Sequence, residues 1–124
     1  MIFVFGSNLA GIHGAGTAAY ACFHEGAVNG QGIGHHGNSY AIPTKDQNIQ
    51  SLSLKDIKGH VDTFVGYAMK HPELTFKVTQ IGCGLAGFTS EQIAPMFRYA
   101  PQNCAFDSAW YPWLGDGFTY WGHQ

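Results

Sequence analysis

A chain of 124 residues with 45% hydrophobic and only 11% charged residues is sized for one domain, residues 1–124, with a single core and little solvated surface. Its formal net charge of −2 gives no electrostatic footing for a nucleic-acid groove, which would need a basic patch. No apolar run approaches the roughly 18 residues of a membrane span, and no leader pattern precedes Met1-Ile2.

The chain opens with a buried apolar strand at about 2–6, which runs into a long Gly/Ser/Asn loop and then a small-residue helix at about 15–26. That helix is rich in alanine (Ala15, Ala18, Ala19, Ala21), which lets it pack close to a sheet. Residues 27–38 read as a polar, Gly-rich loop. A strand over 39–43 is stopped by Pro43, and a polar loop follows over 44–52. Ser53-Leu54-Lys55-Asp56 opens a second helix, whose Ile57, Val61, Phe64, Val65 and Ala68 recur at helical spacing and mark a core face; His71-Pro72 ends it. A strand over 74–81 alternates at Phe76 and Val78. Thr89-Ser90-Glu91-Gln92 then reads as a capping box opening a helix over 90–100, kinked at Pro95, and a short strand over 103–106 follows. This alternation predicts an α/β fold in three layers, with helices on both faces of a mostly parallel mixed sheet. Residues 110–124, which hold all three tryptophans, have no assigned element. This aromatic tail is expected to cover the sheet edge, line a ligand site or meet a partner.

Two glycine-bearing loops leave two strands. In an open parallel sheet, ligands sit outside the carboxyl ends of the strands, so both loops are expected to face one ligand. Ile81-Gly82-Cys83-Gly84-Leu85-Ala86-Gly87-Phe88 carries three glycines in six residues ahead of a helix start. Glycines let backbone N–H groups approach an anion, and the helix dipole adds partial positive charge. Lys45 follows a strand and is placed at the same edge. Cys83 sits near a helix N-terminus, where a thiol pKa tends to fall, but no histidine spacing identifies a partner for it. Cys22 and Cys104 read as core residues. With no CxxC pair and an odd thiol left over, the three cysteines point to reduced thiols in a cytoplasmic setting. His13, His24, His35 and His36 lack a suitably spaced carboxylate or cysteine and read as solvated loop, so no metal or cofactor is expected.

In order, Ser7-Asn8-Leu9 through Gly14-Ala15-Gly16, then Ser39 through Thr44-Lys45, then Ile81 through Phe88 resemble the three ligand segments of the macrodomains, which bind ADP-ribose. The combination is closest to the branch containing terminal ADP-ribose glycohydrolases, and compact chains of this kind resemble those of phages and bacteria. The resemblance covers roughly residues 2–110. It implies a macrodomain-like fold that binds ADP-ribose or a related NAD-derived nucleotide through Ser7, Asn8, Leu9, Gly14, Ala15, Gly16, Thr44 and residues Gly82 through Phe88. It also implies a ribose contact for Asn8 and an ADP-ribosylated macromolecule as a partner. In that branch a lysine at the position of Lys45 attacks the anomeric carbon of the distal ribose, assisted by an aspartate in the diphosphate loop. Here that place is Ala86, so the resemblance implies binding with weak hydrolysis. The family's early adenine-receiving aspartate has no counterpart; stacking by Phe88 or a tail aromatic could substitute. The alternatives are an ADP-ribosyl glycohydrolase using Lys45 and a non-catalytic domain whose aromatic tail binds protein.

Overall fold

Ile2-Phe3-Val4-Phe5 is apolar on both faces of a strand, and such a strand belongs inside a sheet covered on both sides. In the computed structural model, which describes residues 1–124, it forms the core of β1 (Ile2–Asn8) at the centre of a six-stranded sheet. The other elements are α1 (Gly16–His24), β2 (Gly34–His36), β3 (Ser39–Lys45), α2 (Leu54–Lys70), β4 (Phe76–Val78), α3 (Ser90–Ile93), β5 (Cys104–Asp107), α4 (Tyr111–Leu114) and β6 (Thr119–Gly122). Single 3₁₀ turns lie at Ala94–Phe97 and Ser108–Trp110. The strand order is β2-β3-β1-β4-β5-β6, with every neighbouring pair parallel except β2 against β3.

The apolar period of α2 lays Ile57, Val61, Phe64 and Ala68 against one sheet face, where α3, the first 3₁₀ turn and fully buried Trp110 complete the larger core. The opposite face carries α1, whose Ala18 and Ala21 sit on Phe3, Phe5 and Ala41. The result is an α/β fold with a mostly parallel mixed sheet and four helices distributed over both faces. No helix is long and apolar enough to cross a membrane.

Several boundaries differ from the sequence reading. β3 runs on to Lys45 instead of stopping at Pro43: β2 pairs only as far as Ala41, so on that side the missing proline N–H costs no ladder bond. β4 ends at Val78: Thr79 still donates its N–H and its hydroxyl to the Val4 carbonyl at 3.2 and 2.7 Å, but the next ladder donor, the Ile81 N–H, bonds locally to the Thr79 carbonyl at 2.8 Å. The helix expected over 90–100 is one α-turn followed by one 3₁₀ turn. The second turn begins at Ala94, just before Pro95, which has no N–H to continue the first. His35 and His36 are not solvated loop but form edge strand β2, joined to β3 by the two-residue turn Gly37-Asn38. The tail contributes α4 and then β6, which lies parallel to β5.

Candidate functional site

The order in which strands are added reverses at the centre of the sheet. β1 leads through α1 to β3 on one side, and β4 and β5 lie on the other. At the carboxyl edge of that switch point is a cleft of about 600 Å³, inside the ordinary range of small-molecule sites, roughly 300–1,000 Å³. Its floor is the exits of β1, β3 and β4, and its walls are the start of α1 and the Gly82–Ala86 loop.

The polar residues of the floor are engaged with the scaffold. Ser7 donates its hydroxyl to the Gly32 carbonyl, and Thr44 donates to the Ser7 carbonyl at 3.3 Å. The Asn8 amide is closed on Ile12 from both directions, donating to its carbonyl at 2.8 Å and accepting its N–H at 3.0 Å. Asn8 therefore shapes the first loop, and both ends of its amide already have backbone partners. That loop rests on the 28–32 segment so tightly that a Cβ on Gly32 would stand 1.9 Å from the Asn8 carbonyl oxygen. His13 is part of this staple: it is buried, edge-on to Phe5, with Nε2 3.1 Å from the Gln31 carbonyl.

What remains for a ligand is backbone, one cation and a small polar corner. Gly14, Ala15 and Gly16 line the cleft together with the first turn of α1, whose N-cap Ala15 supplies no side-chain acceptor. Its leading N–H groups therefore belong to cleft-lining residues and have no side-chain cap. Across from them the loop after β4 turns at Gly82 (φ 76°), and Gly84 is exposed, with open space where a Cβ would be. Of the six lysines and arginines only Lys45 lines the cleft, and it has no ion-pair partner. A register shift between Ser7 and Asn8 pairs Asn8 with Lys45, which sets the lysine at the rim. Beside it Ile49 holds φ 61°, a left-handed conformation that costs a β-branched residue about 1–2 kcal/mol. Asp46 sustains that turn by accepting the Asn48 and Gln50 N–H groups, so its carboxylate is turned into its own loop. Ser51 ties the turn to the glycine loop through the Ala86 carbonyl at 2.8 Å.

Three expected contacts fall outside the cleft wall. Leu9 is exposed beyond it, and neither Gly87 nor Phe88 lines it; Phe88 packs on the larger core behind Gly82. The α3 start does not border the cleft either. Its capping box is complete, with the Gln92 N–H donating to Thr89 Oγ1 at 3.3 Å and the Thr89 N–H donating to Gln92 Oε1 at 3.0 Å. Cys83 lines the cleft, but burial pushes its thiol above the usual range, outweighing the hydroxyl of Ser90 at 3.9 Å. A thiol shifted upward is a poor nucleophile, opposite to the lowering expected near a helix start. Cys104 is core, with burial raising its pKa to about 12, and Cys22 is half-buried.

The far end of the cleft holds residues that sequence reasoning did not single out. Gln80, Asp107, Trp121 and Gln124 line it where β4, β5 and β6 end. An acidic residue at the carboxyl end of a buried strand was the available signal for Asp107. Asp107 is 1% exposed. Burial alone would raise its pKa, but hydrogen bonds from the Ala109 N–H, His123, the Gln124 N–H and Gln80 together hold it below the ordinary carboxylate range. No family model, curated protein or solved structure matches this chain.

Proposed function

We propose that the cleft binds ADP-ribose or a closely related NAD-derived nucleotide, as the macrodomain-like sequence segments imply. The observation that carries this reading is the order of chemistry along the sheet edge. An aromatic–amide corner lies at the β5–β6 end, open backbone N–H groups from two glycine loops lie in the middle, and a single lysine lies at the β3 end. That sequence suits a base, a diphosphate and a distal sugar. Open helix N–H groups and glycine-lined backbone are the usual cradle for a diphosphate.

Removal of ADP-ribose from a modified macromolecule is the associated reaction, and it is weak here. A lysine amine opens a ribose to a Schiff base only with a partner that moves protons on the departing and sugar oxygens. The glycine loop offers Ala86 in that place, and Asp46 is turned into its own loop. Asp107 lies three strands from Lys45 in the order β3-β1-β4-β5, about 14 Å away at 4.7–4.9 Å per strand. It is out of reach for the same reaction centre.

Calorimetry with ADP-ribose, ADP, AMP and NAD tests the binding reading; no affinity for any of the four overturns it. Lys45→Ala should weaken ADP-ribose binding by about 1.5–3 kcal/mol, the scale of a hydrogen bond to a charged group. Ala86→Asp should raise turnover on ADP-ribosylated substrates, since general acid–base help is worth about 10²–10⁴-fold. Robust wild-type hydrolysis that survives Lys45→Ala would contradict the lysine route and point to water activation.

A further inference from the structure

Asp107 is a buried carboxylate at the cleft that has no acceptor capacity left for a ligand. Oδ1 accepts from the Ala109 N–H and from His123 Nδ1, both at 2.8 Å; Oδ2 accepts from Gln80 Nε2 at 3.2 Å and the Gln124 N–H at 3.4 Å. Four donors on two oxygens make it a junction between the exits of β4, β5 and β6. Its effect on Gln80 is specific. An ionised carboxylate only accepts, so the Gln80 amide must turn its NH₂ toward Asp107. The amide flip is thereby fixed, leaving Oε1 as a free acceptor beside the second N–H.

Trp121 is held just as firmly. Its Nε1–H donates to the Val78 carbonyl at 2.9 Å, and Lys77 Nζ lies 4.3 Å from the ring centroid. The indole is still part of the cleft wall. An aromatic ring fixed beside an amide of fixed orientation is the chemistry that recognises a flat heterocycle carrying adjacent donor and acceptor groups. A glutamine amide pairs with the amine and ring nitrogen of adenine, and aromatic side chains offer any base a stacking surface. A 6-oxo purine presents an acceptor where adenine presents its amine, and so meets Gln80 Oε1 with like polarity.

We propose that Gln80 and Trp121 form a base-recognition corner selective for a 6-amino purine, and that Asp107 is the positioning residue that sets it. This rests on the reading of the cleft as a nucleotide site and goes beyond it by naming the residues that choose the base. It also gives the tail a role: β6 carries Trp121 to the cleft, and His123 and Gln124 tie its exit to Asp107.

The test is calorimetry of the full chain with ADP, IDP and UDP, which share a ribose diphosphate and differ in the base. The wild type should bind ADP at least about tenfold more tightly than IDP, the scale of a good amide–base pair. Gln80→Met, close in shape and without the amide, should bring ADP and IDP to within about twofold of each other while diphosphate binding persists. Asp107→Asn should narrow the same ratio by freeing the Gln80 flip, with circular dichroism confirming the fold. Trp121→Leu should weaken both purines by about tenfold, the scale of one base–aromatic stack. Equal affinity for ADP and IDP in the wild type, or discrimination that survives Gln80→Met, overturns the corner and leaves the nucleotide reading standing. No affinity for ADP-ribose or any nucleoside diphosphate overturns both.

Discussion

Two loops leave the sheet side by side, after β1 and after β4, and each feeds a helix, but the two helix starts are built in opposite ways. At α3 the reciprocal Thr89–Gln92 bonds close the first turn, and none of Thr89–Ile93 borders the cleft. At α1 the N-cap is Ala15, which has nothing to close the turn with, and Gly16, Thr17 and Ala18 line the cleft. The leading N–H groups of any helix lack intrahelical partners, so a start closed by its own side chains is a structural fitting. One left open at a cleft is available to an anion. The capping box is the stronger sequence signal, yet it marks the helix start that does not border the cleft.

The contrast implies that the β4 loop contributes through backbone approach alone, and Gly84 is the place to break it. Gly84 has an ordinary φ, and a Cβ there meets nothing within 4 Å, whereas Gly82 is at φ 76° with Ile93 at 3.4 Å. Gly84→Val should therefore keep the fold while its side chain stands where a diphosphate must come close. Loss of one charge-assisted backbone contact, about 1.5–3 kcal/mol, corresponds to an affinity drop of up to roughly a hundredfold. Unchanged affinity for ADP-ribose in a folded Gly84→Val protein would remove this loop from the site.

The second test reverses the difference at α1. Ala15 already has the extended N-cap backbone (φ −151°, ψ 162°), so an aspartate there would cap the helix as it stands. Ala15→Asp should stabilise the protein by about 1 kcal/mol, seen as a higher Tm. It should also weaken ADP-ribose by about tenfold, because the carboxylate takes the N–H groups and repels the phosphates, an effect of helix-start electrostatics near 1 kcal/mol or more. Ala15→Ser separates the two causes, since it caps without charge. A variant that gains stability and keeps full affinity would show that the open helix start is not used.

How much of this was legible in the sequence follows from the physics of each element. β1, α1, α2 and the glycine loop were legible because each carries its own period or cap: four consecutive apolar residues at 2–5, alanines at 15–21, and Ile57 through Ala68 at helical spacing. β2 and β6 were not, because Gly34-His35-His36 and Thr119-Tyr120-Trp121-Gly122 show no alternation of apolar and polar residues; they become strands by pairing with β3 and β5. Gly37-Asn38 was the missed clue to β2, being a two-residue turn of the kind that joins hairpin strands. At the site, the main-chain segments were legible, and the roles of Asn8, Cys83 and Asp107 were not. Those roles depend on partners distant in sequence: Gln80 and His123 reach Asp107 from 27 and 16 residues away, and Ser90 lies beside Cys83 only because the loop folds back.

The smallest expected effect is the one that isolates capping from binding. Thr89→Ala removes the side-chain acceptor for the Gln92 N–H and leaves the Thr89 backbone in place, so it opens the α3 start without altering the glycine loop's own chain direction. Loss of a Ser/Thr cap costs about 0.5–2 kcal/mol, and the turn that this one opens carries Ile93 into the larger core, so chemical denaturation should show a drop of about 1 kcal/mol. Affinity for ADP-ribose should not change, because none of Thr89–Ile93 lines the cleft and the Gln92 N–H keeps the Thr89 carbonyl at 3.1 Å as its acceptor. If Thr89→Ala weakened binding more than it weakened folding, the α3 start would be part of the anion site after all. The two helix starts would then differ in how they are held, and no longer in what they do.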